Sequence, residues 1–203
     1  MPVPKAVRDE LHQRWKGPPS PYREALSYMT GELRNHVIAC KHVSPEQEET
    51  RVSGRIKTIP RIVEKVDRSK RRLVSTIDEL EEIVTDIVGV RVTVDYLRQS
   101  REIQDFVINY SGWEAKKSDD SLRDSGYRAI HVDVMTNTTH FAGVRCEVQI
   151  RTLLQDAWAI WSHPLYERYR RDLSRIPRKK RELMRQLSDM LHTADEMVET
   201  LLK

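Results

Sequence analysis

The sequence predicts an α+β fold: a mixed, largely antiparallel sheet of about five strands, flanked by helices, with long N- and C-terminal helices. Three observations predict it. Val88, Val90, Val92 and Val94 alternate with other residues, the period of a half-buried strand. Two further strand candidates, 127–137 and 139–151, lie close enough in sequence for a hairpin. Segments with helical apolar spacing stand before, between and after these strands, without strict βαβ alternation.

Taken in order, the stretch up to Pro18-Pro19 reads as a short helix or a loose arm. Ser20 and Pro21 open a helix whose Leu26, Met29, Leu33 and Val37 recur at helical spacing. Residues 50–57 (TRVSGRIK) read as a short strand or extended loop, and Thr58 is placed to cap the next helix, with Ile62, Val63 and Val66 on one face. A charged helix begins at Thr76 and runs into the valine strand. Residues 97–110 return to helix. Residues 111–126 are polar, a loop with room for one edge strand. After the hairpin, helix resumes near Leu153, with a break or kink expected at Pro164, and a last helix runs from Pro177 to Lys203. The division expected is an N-terminal arm over 1–19, a central domain over 20–170 and a basic, amphipathic C-terminal helix over 171–203.

Composition narrows the classes. Apolar residues make up 38% of the 203 residues, enough for a core, and charged residues 33%. A net charge of +4 and a pI of 9.1 suit anionic partners such as nucleotides, phosphates or RNA. Cys40 and Cys146 stand far apart with no metal-ligand spacing, which argues for a reducing compartment. The N-terminal MPVPKAVRDELHQRW lacks a signal-peptide pattern and no apolar run reaches membrane-span length, so a cytoplasmic protein without membrane contact is expected.

Strand parity sorts the chemistry. Ile130, Val132 and Val134 share one face of their strand, and Tyr127, Ala129, His131 and Asp133 the other. On the next strand Val144, Cys146, Val148 and Ile150 oppose Arg145, Glu147, Gln149 and Arg151. Such a sheet face is either half-solvated or a site, and Tyr, His, Glu, Gln and Arg are residue types that bind or catalyse. Arg55 and Lys57 project together from an extended chain, with Lys65 two turns further on, forming either a phosphate-binding cluster or a solvated basic stretch. Asp86 precedes the valine strand as a turn residue or a ligand.

Four ordered motifs resemble the synthetase domain of the RelA/SpoT family. They are SGRIKTIPRIVEK (53–65), DIVGVR (86–91), GYRAIH (126–131) and EVQIRT (147–152), followed by a helix, Trp158 to Tyr169, with a histidine and aromatics. The resemblance covers roughly residues 20–170, and by length the chain resembles a small, single-domain alarmone synthetase. It implies a nucleotidyltransferase-like synthetase fold. It also implies an ATP-dependent pyrophosphokinase that uses Mg²⁺ to move the terminal pyrophosphate of ATP to a ribose 3′-hydroxyl of GDP or GTP, making an alarmone of the stringent response. On this resemblance Asp86 and Glu147 hold the metal, and Glu147 helps deprotonate the acceptor hydroxyl. Arg55, Lys57, Lys65 and Arg91 bind ATP. Tyr127 stacks on the acceptor base, and Arg123, Ser125, His131, Gln149 and Arg151 line the acceptor region. Arg98 and Arg101 are further candidates for a stacking partner.

The sequence also departs from the family pattern. LRDSGY (122–127) stands where guanine-using relatives have P-K-x-N-G-Y, so Ser125 replaces an asparagine; Arg61 replaces a serine, and Ser162 a glutamate beside His163. The alternatives this keeps open are an adenosine alarmone synthetase and a toxin that pyrophosphorylates the 3′-terminal adenosine of tRNA, paired with an antitoxin protein. The run RYRRDLSRIPRKKR (168–181), with eight Arg or Lys, offers basic surface for RNA or is an exposed helix face. Leu183, Leu187, Met190, Leu191, Met197 and Leu201 give the last helix a stripe for core packing or a homo-oligomer. A non-catalytic RNA-binding regulator is the reading from another class, and it should have lost a metal carboxylate.

Overall fold

The computed structural model describes residues 3–42, 51–69, 74–120, 122–138, 141, 143–169 and 172–202. The chain folds as α1 (Lys5–Lys16), α2 (Pro21–Ala39), β1 (Val52–Ile56), α3 (Ile59–Arg68), α4 (Ile77–Ile83), β2 (Val88–Val94), α5 (Leu97–Asn109), β3 (Trp113–Asp119), β4 (Ile130–Thr136), β5 (Arg145–Thr152), α6 (Leu153–Arg168) and α7 (Arg178–Leu201), with a short 3-10 turn at Leu173–Arg175. The five strands form one sheet in the order β1-β2-β5-β4-β3. Only the central β2–β5 pair is parallel; the other three pairings are antiparallel. The mixed, largely antiparallel α+β sheet expected from the sequence is therefore the one observed.

The alternating pattern sets which face is buried. Val88, Val90 and Val92 are at most 1% exposed, as are Val132, Val134, Cys146, Val148 and Ile150. They pack in one core with Met29, Leu33 and Val37 of α2 and with Ile103 and Val107 of α5. The N-terminal stretch is a helix whose Val7 and Leu11 join that core. Arg14 ties it down further: the guanidinium meets the buried Glu81 of α4 at 3.0 Å, and Glu81 also accepts from Tyr22 of α2 at 2.5 Å.

Local signals explain the helix starts. Ser20 caps α2 and Pro21 fills its first turn. Thr76 with Glu79, and Thr152 with Gln155, form reciprocal caps on α4 and α6. Thr58 occupies the cap position of α3, but its side chain makes no capping bond; its carbonyl takes the first helical contacts instead. Pro164 lies inside α6, which continues to Arg168.

Both hairpin strands are shorter than the sequence suggests. β4 begins at Ile130, not Tyr127: its pairing with β5 stops at Ile130–Ile150, and the carbonyls of Ser125, Gly126 and Tyr127 bond to Tyr166, Ser188 and the Arg123 amide instead of to a strand. β5 begins at Arg145; Thr139, His140 and Ala142 lie outside the described residues. The polar stretch after α5 does contain the edge strand, β3. The apolar stripe of α7 is split: Leu187 and Leu191 are half-buried, whereas Leu183, Met190, Met197 and Leu201 are exposed. Within the basic run, Arg170 and Arg171 lie outside the described residues; Arg168, Arg175 and Arg178 to Arg181 are exposed.

Candidate active site

Strand register assembles a polar surface on the sheet face opposite the α2–α5 core. Across the strands, Arg55, Gly89, Glu147 and Asp133 form one rung, and Ser53, Arg91, Gln149 and His131 the next. Gly89 has no side chain where its neighbours carry charge, and a Cβ there would meet only the Glu147 carbonyl, at 4.0 Å. The result is a narrow cleft of about 160 Å³ lined by Asp86, Gly89, Glu147, Arg55, Arg91 and Gln149. It adjoins a cavity of about 940 Å³ between the sheet, α3 and α6, large enough for nucleotide-sized ligands. Arg55, Arg91 and Gln149 line both spaces.

One end of the site is a knot of cations around a carboxylate. Asp86 sits in the turn before β2 and meets the ammonium groups of both Lys57, just past β1, and Lys65, on α3, the latter at 2.8 Å. Burial opposes the Asp86 charge, but the two lysines outweigh it and hold its carboxyl below the usual carboxylate range. The indole of Trp15 donates to the Lys57 carbonyl at 3.3 Å, so α1 braces the end of the strand that carries this lysine. Arg61 and Arg68 add positive charge along the α3 wall of the cavity.

The other end is a continuous chain of polar groups. Arg151, 5% exposed, donates to the Tyr127 hydroxyl at 2.6 Å and to the Gln149 carbonyl oxygen at 3.1 Å. Tyr127 and the His131 Nε2 are 2.9 Å apart, and the His131 Nδ1 lies 3.2 Å from Glu147. The Tyr127 hydroxyl and both His131 nitrogens are satisfied when Tyr127 donates to Nε2 and the Nδ1–H donates to the carboxylate. Gln149 also donates to Glu147. Against burial, these bonds from His131 and Gln149 keep the Glu147 carboxyl below its usual range. Burial raises the Tyr127 phenol more than Arg151 lowers it, so the hydroxyl stays protonated and serves as a donor, not a base.

Most of the residues singled out in the sequence thus meet here: Arg55, Lys57, Lys65, Asp86, Arg91, Ser125, Tyr127, Gln149, Arg151 and Glu147 line one or other space, with His131 behind Tyr127. Others lie elsewhere. Arg123 turns to Asp119 at 2.7 Å and does not line the cavity. Arg98 is on α5 beside Glu102, and neither it nor Arg101 lines the cavity. The Ser125 hydroxyl accepts from the Tyr127 amide at 3.3 Å.

Three contributors carry no site role in the sequence assignments, although Trp158 and Tyr166 lie in the aromatic helix that the resemblance includes. Asp156, in the first turn of α6, pairs with both Arg151 at 3.0 Å and Arg91 at 3.3 Å and so links the two ends of the site. Trp158 and Tyr166 form an aromatic wall beside Tyr127, with ring centroids 6.2 and 6.3 Å apart along the series. Asp156 was findable: it lies one helical turn beyond the Thr152 cap, where a carboxylate faces back to the preceding strand end.

The donor set bears on a metal. Two buried-side carboxylates with oxygen ligands suit a hard cation such as Mg²⁺, which is commonly held by one or two carboxylates plus substrate phosphates. Among the described residues no group of three or more His, Cys, Asp or Glu could hold a metal, so substrate oxygens and water would supply the remaining ligands of any such site. Among the described residues, the buried Nε atoms of Arg91 and Arg151 have no hydrogen-bond partner. Among the described residues, no helix is long and apolar enough to cross a membrane.

Comparison with known proteins agrees with this geometry. GTP pyrophosphokinase YwaC of Bacillus subtilis (strain 168) is 25% identical over 151 residues, covering 70% of this chain and 69% of the relative. GTP pyrophosphokinase YjbM of the same organism is 25% identical over 190 residues, covering 91% of this chain and 86% of the relative. The crystal structure of small alarmone synthetase 1 from Bacillus subtilis superposes with a TM-score of 0.76 at 25% identity, covering 93% of this chain and 96% of that one. Residues 54–172, which hold all four motifs except the first residue of SGRIK, match the family described as the region found in RelA / SpoT proteins, and the chain belongs to that family.

Proposed function

We propose that this chain is an ATP-dependent pyrophosphokinase that transfers the β,γ-pyrophosphate of ATP to the ribose 3′-hydroxyl of GDP or GTP. The observation that carries this reading is the paired-carboxylate cleft of Asp86 and Glu147 opening into a cavity with a cationic wall on one side and Tyr127 on the other. The naming of both curated relatives as GTP pyrophosphokinases supports it at family level.

In this reaction the acceptor 3′-oxygen attacks the β-phosphorus of ATP. The bond from that phosphorus to the α–β bridging oxygen breaks, AMP leaves, and the hydroxyl proton is lost. The protein's task is positioning and charge compensation. Lys57, Lys65, Arg55 and Arg61 receive the triphosphate. Asp86 and Glu147 would hold a magnesium ion, which when bound supplies further charge compensation at the phosphates. Tyr127 offers its ring to the acceptor base. The Glu147 carboxylate is ionised and faces the same cleft, suited to take the proton. Arg151 and Arg91, held by Asp156, add positive charge beside the phosphate oxygens.

A second reading concerns the acceptor. Ser125, which stands in place of an asparagine, spends its hydroxyl on the Tyr127 amide and its carbonyl on the Tyr166 hydroxyl at 3.2 Å. Both groups are thereby tied into the turn, and a serine reaches less far toward a base edge than an asparagine. This favours an acceptor held by stacking, such as an adenine nucleotide or the 3′-terminal adenosine of tRNA, with Arg175 and Arg178 to Arg181 as exposed basic surface. An antitoxin protein and a homo-oligomer belong to these readings as partners still to be sought.

One assay tests both. The protein is incubated with γ-labelled ATP, Mg²⁺ and separately GDP or GTP, AMP, ADP or ATP, or deacylated tRNA. Label on the guanine nucleotide with release of AMP is expected. Label only on tRNA or adenine nucleotides would replace the first reading by the second. Label on no acceptor would overturn the enzyme.

A further inference from the structure

The turn that carries Tyr127 is clasped from behind by α7. Ser188 is 3% exposed, on a helix most of whose residues face solvent. Its hydroxyl donates to the Gly126 carbonyl and accepts from the Arg128 Nε at 3.3 Å. Arg128 also donates to Asp189 at 2.9 Å. The approach is tight: a Cβ on Gly126 would lie 3.0 Å from the Ser188 Cβ and 3.2 Å from the Arg185 Cα. Gly126 also holds φ at +91°, a region that side chains rarely adopt.

The backbone around Tyr127 is pinned on every side. Ser188 holds the carbonyl of Gly126, Tyr166 holds that of Ser125 at 3.2 Å, and the Arg123 amide holds that of Tyr127 at 3.0 Å. α7 itself is a braced wall. The Trp158 indole donates to the Met184 carbonyl at 2.7 Å, and Thr152 donates to the buried Asp195 at 2.7 Å. The same Thr152 ends β5 and caps α6. A shift of α7 at Ser188 would therefore reach Tyr127 through one peptide unit.

We propose that Ser188 is a positioning residue for the acceptor, fixing the Gly126 peptide and thereby the angle at which Tyr127 presents its ring. This rests on the reading of Tyr127 as the acceptor platform. The lysine end of the site shares none of these contacts, so the effect is confined to one substrate.

Steady-state kinetics and amide hydrogen exchange on Ser188→Ala, Ser188→Thr and Asp189→Ala test it. In Ser188→Ala the KM for the acceptor rises by about three- to tenfold, the loss of one or two buried hydrogen bonds, while the KM for ATP stays within about twofold. Exchange of the Gly126 and Tyr127 amides quickens without any substrate present. Ser188→Thr, which keeps the hydroxyl, restores both readouts. Asp189→Ala, which removes only the exposed partner of Arg128, leaves both as they are. Unchanged exchange in Ser188→Ala, or a parallel rise in both KM values, overturns the proposal. A wild-type chain that transfers to no acceptor overturns the reaction instead, and the exchange data then decide alone whether Ser188 holds the turn.

Discussion

Arg151 donates to the Tyr127 hydroxyl at 2.6 Å while its guanidinium carbon stands 4.9 Å from the centre of the same ring. One cation thus fixes the phenol at its edge and covers part of its face. Because the hydroxyl is an anchor and the ring the proposed platform for the acceptor base, the two can be separated. Tyr127→Phe keeps the ring and is expected to lower kcat by a few fold with little change in acceptor KM. Tyr127→Ala removes the platform, and the acceptor KM should rise by about tenfold or more, since a base–aromatic stack is worth roughly 1–3 kcal/mol. Full activity in the alanine variant would remove Tyr127 from the acceptor site.

Asp156 bridges the arginines of the two half-sites. Its replacement by alanine leaves Arg151, almost fully buried, without its carboxylate. A hydrogen bond to a charged group contributes about 1.5–3 kcal/mol, so Asp156→Ala should lower unfolding free energy by about that amount in urea titrations. It should also raise the KM for both substrates. An effect on one substrate alone would mean that Arg91 and Arg151 are held independently.

Periodicity made the core of this fold legible. The valines of β2 and the alternation in β4 and β5 place Glu147, Gln149 and His131 on one face from the sequence alone, because side-chain direction in a strand depends on parity. Contacts between distant segments were not legible. Ser188 lies 62 residues from Gly126, on a helix whose sequence reads as a basic and apolar surface; nothing local marks its one buried hydroxyl. Asp156 has only its place after the Thr152 cap. Arg123, next to the acceptor turn in sequence, points instead to Asp119 because the turn reverses the chain before Tyr127.

A pH dependence follows from the end of α2. His36 stacks on Phe106 at 3.7 Å, and His42 meets Glu102 at 3.1 Å. Burial is the main cause that lowers both imidazoles below their ordinary value of 6.5; Glu102 opposes it in each case. Both are therefore neutral in the folded chain at pH values where the unfolded chain takes up protons. The stability they contribute is complete above pH 6.5 and is lost as the pH falls from there through their folded values. The melting temperature should decline over that window, and the decline should flatten in His36→Phe/His42→Gln. An equally steep decline in the double variant would assign the acid sensitivity to other groups.

The pairing of Asp86 with Lys57 and Lys65 makes an unusual prediction about binding. In the free chain the carboxylate occupies the same ammonium groups that are proposed to receive the triphosphate of ATP. Asp86→Asn removes that competitor but also removes a proposed magnesium ligand. Without metal, the variant should bind a non-hydrolysable ATP analogue at least as tightly as the wild type, by up to about fivefold given the roughly 0.2–1 kcal/mol of a partly exposed ion pair. With magnesium present the order should reverse, because only the wild type can gain from the cation. Calorimetric titration with and without magnesium reads both halves, and turnover should be lost in either case. Weaker metal-free binding in the variant would show that Asp86 orients the lysines for ATP instead of competing with it.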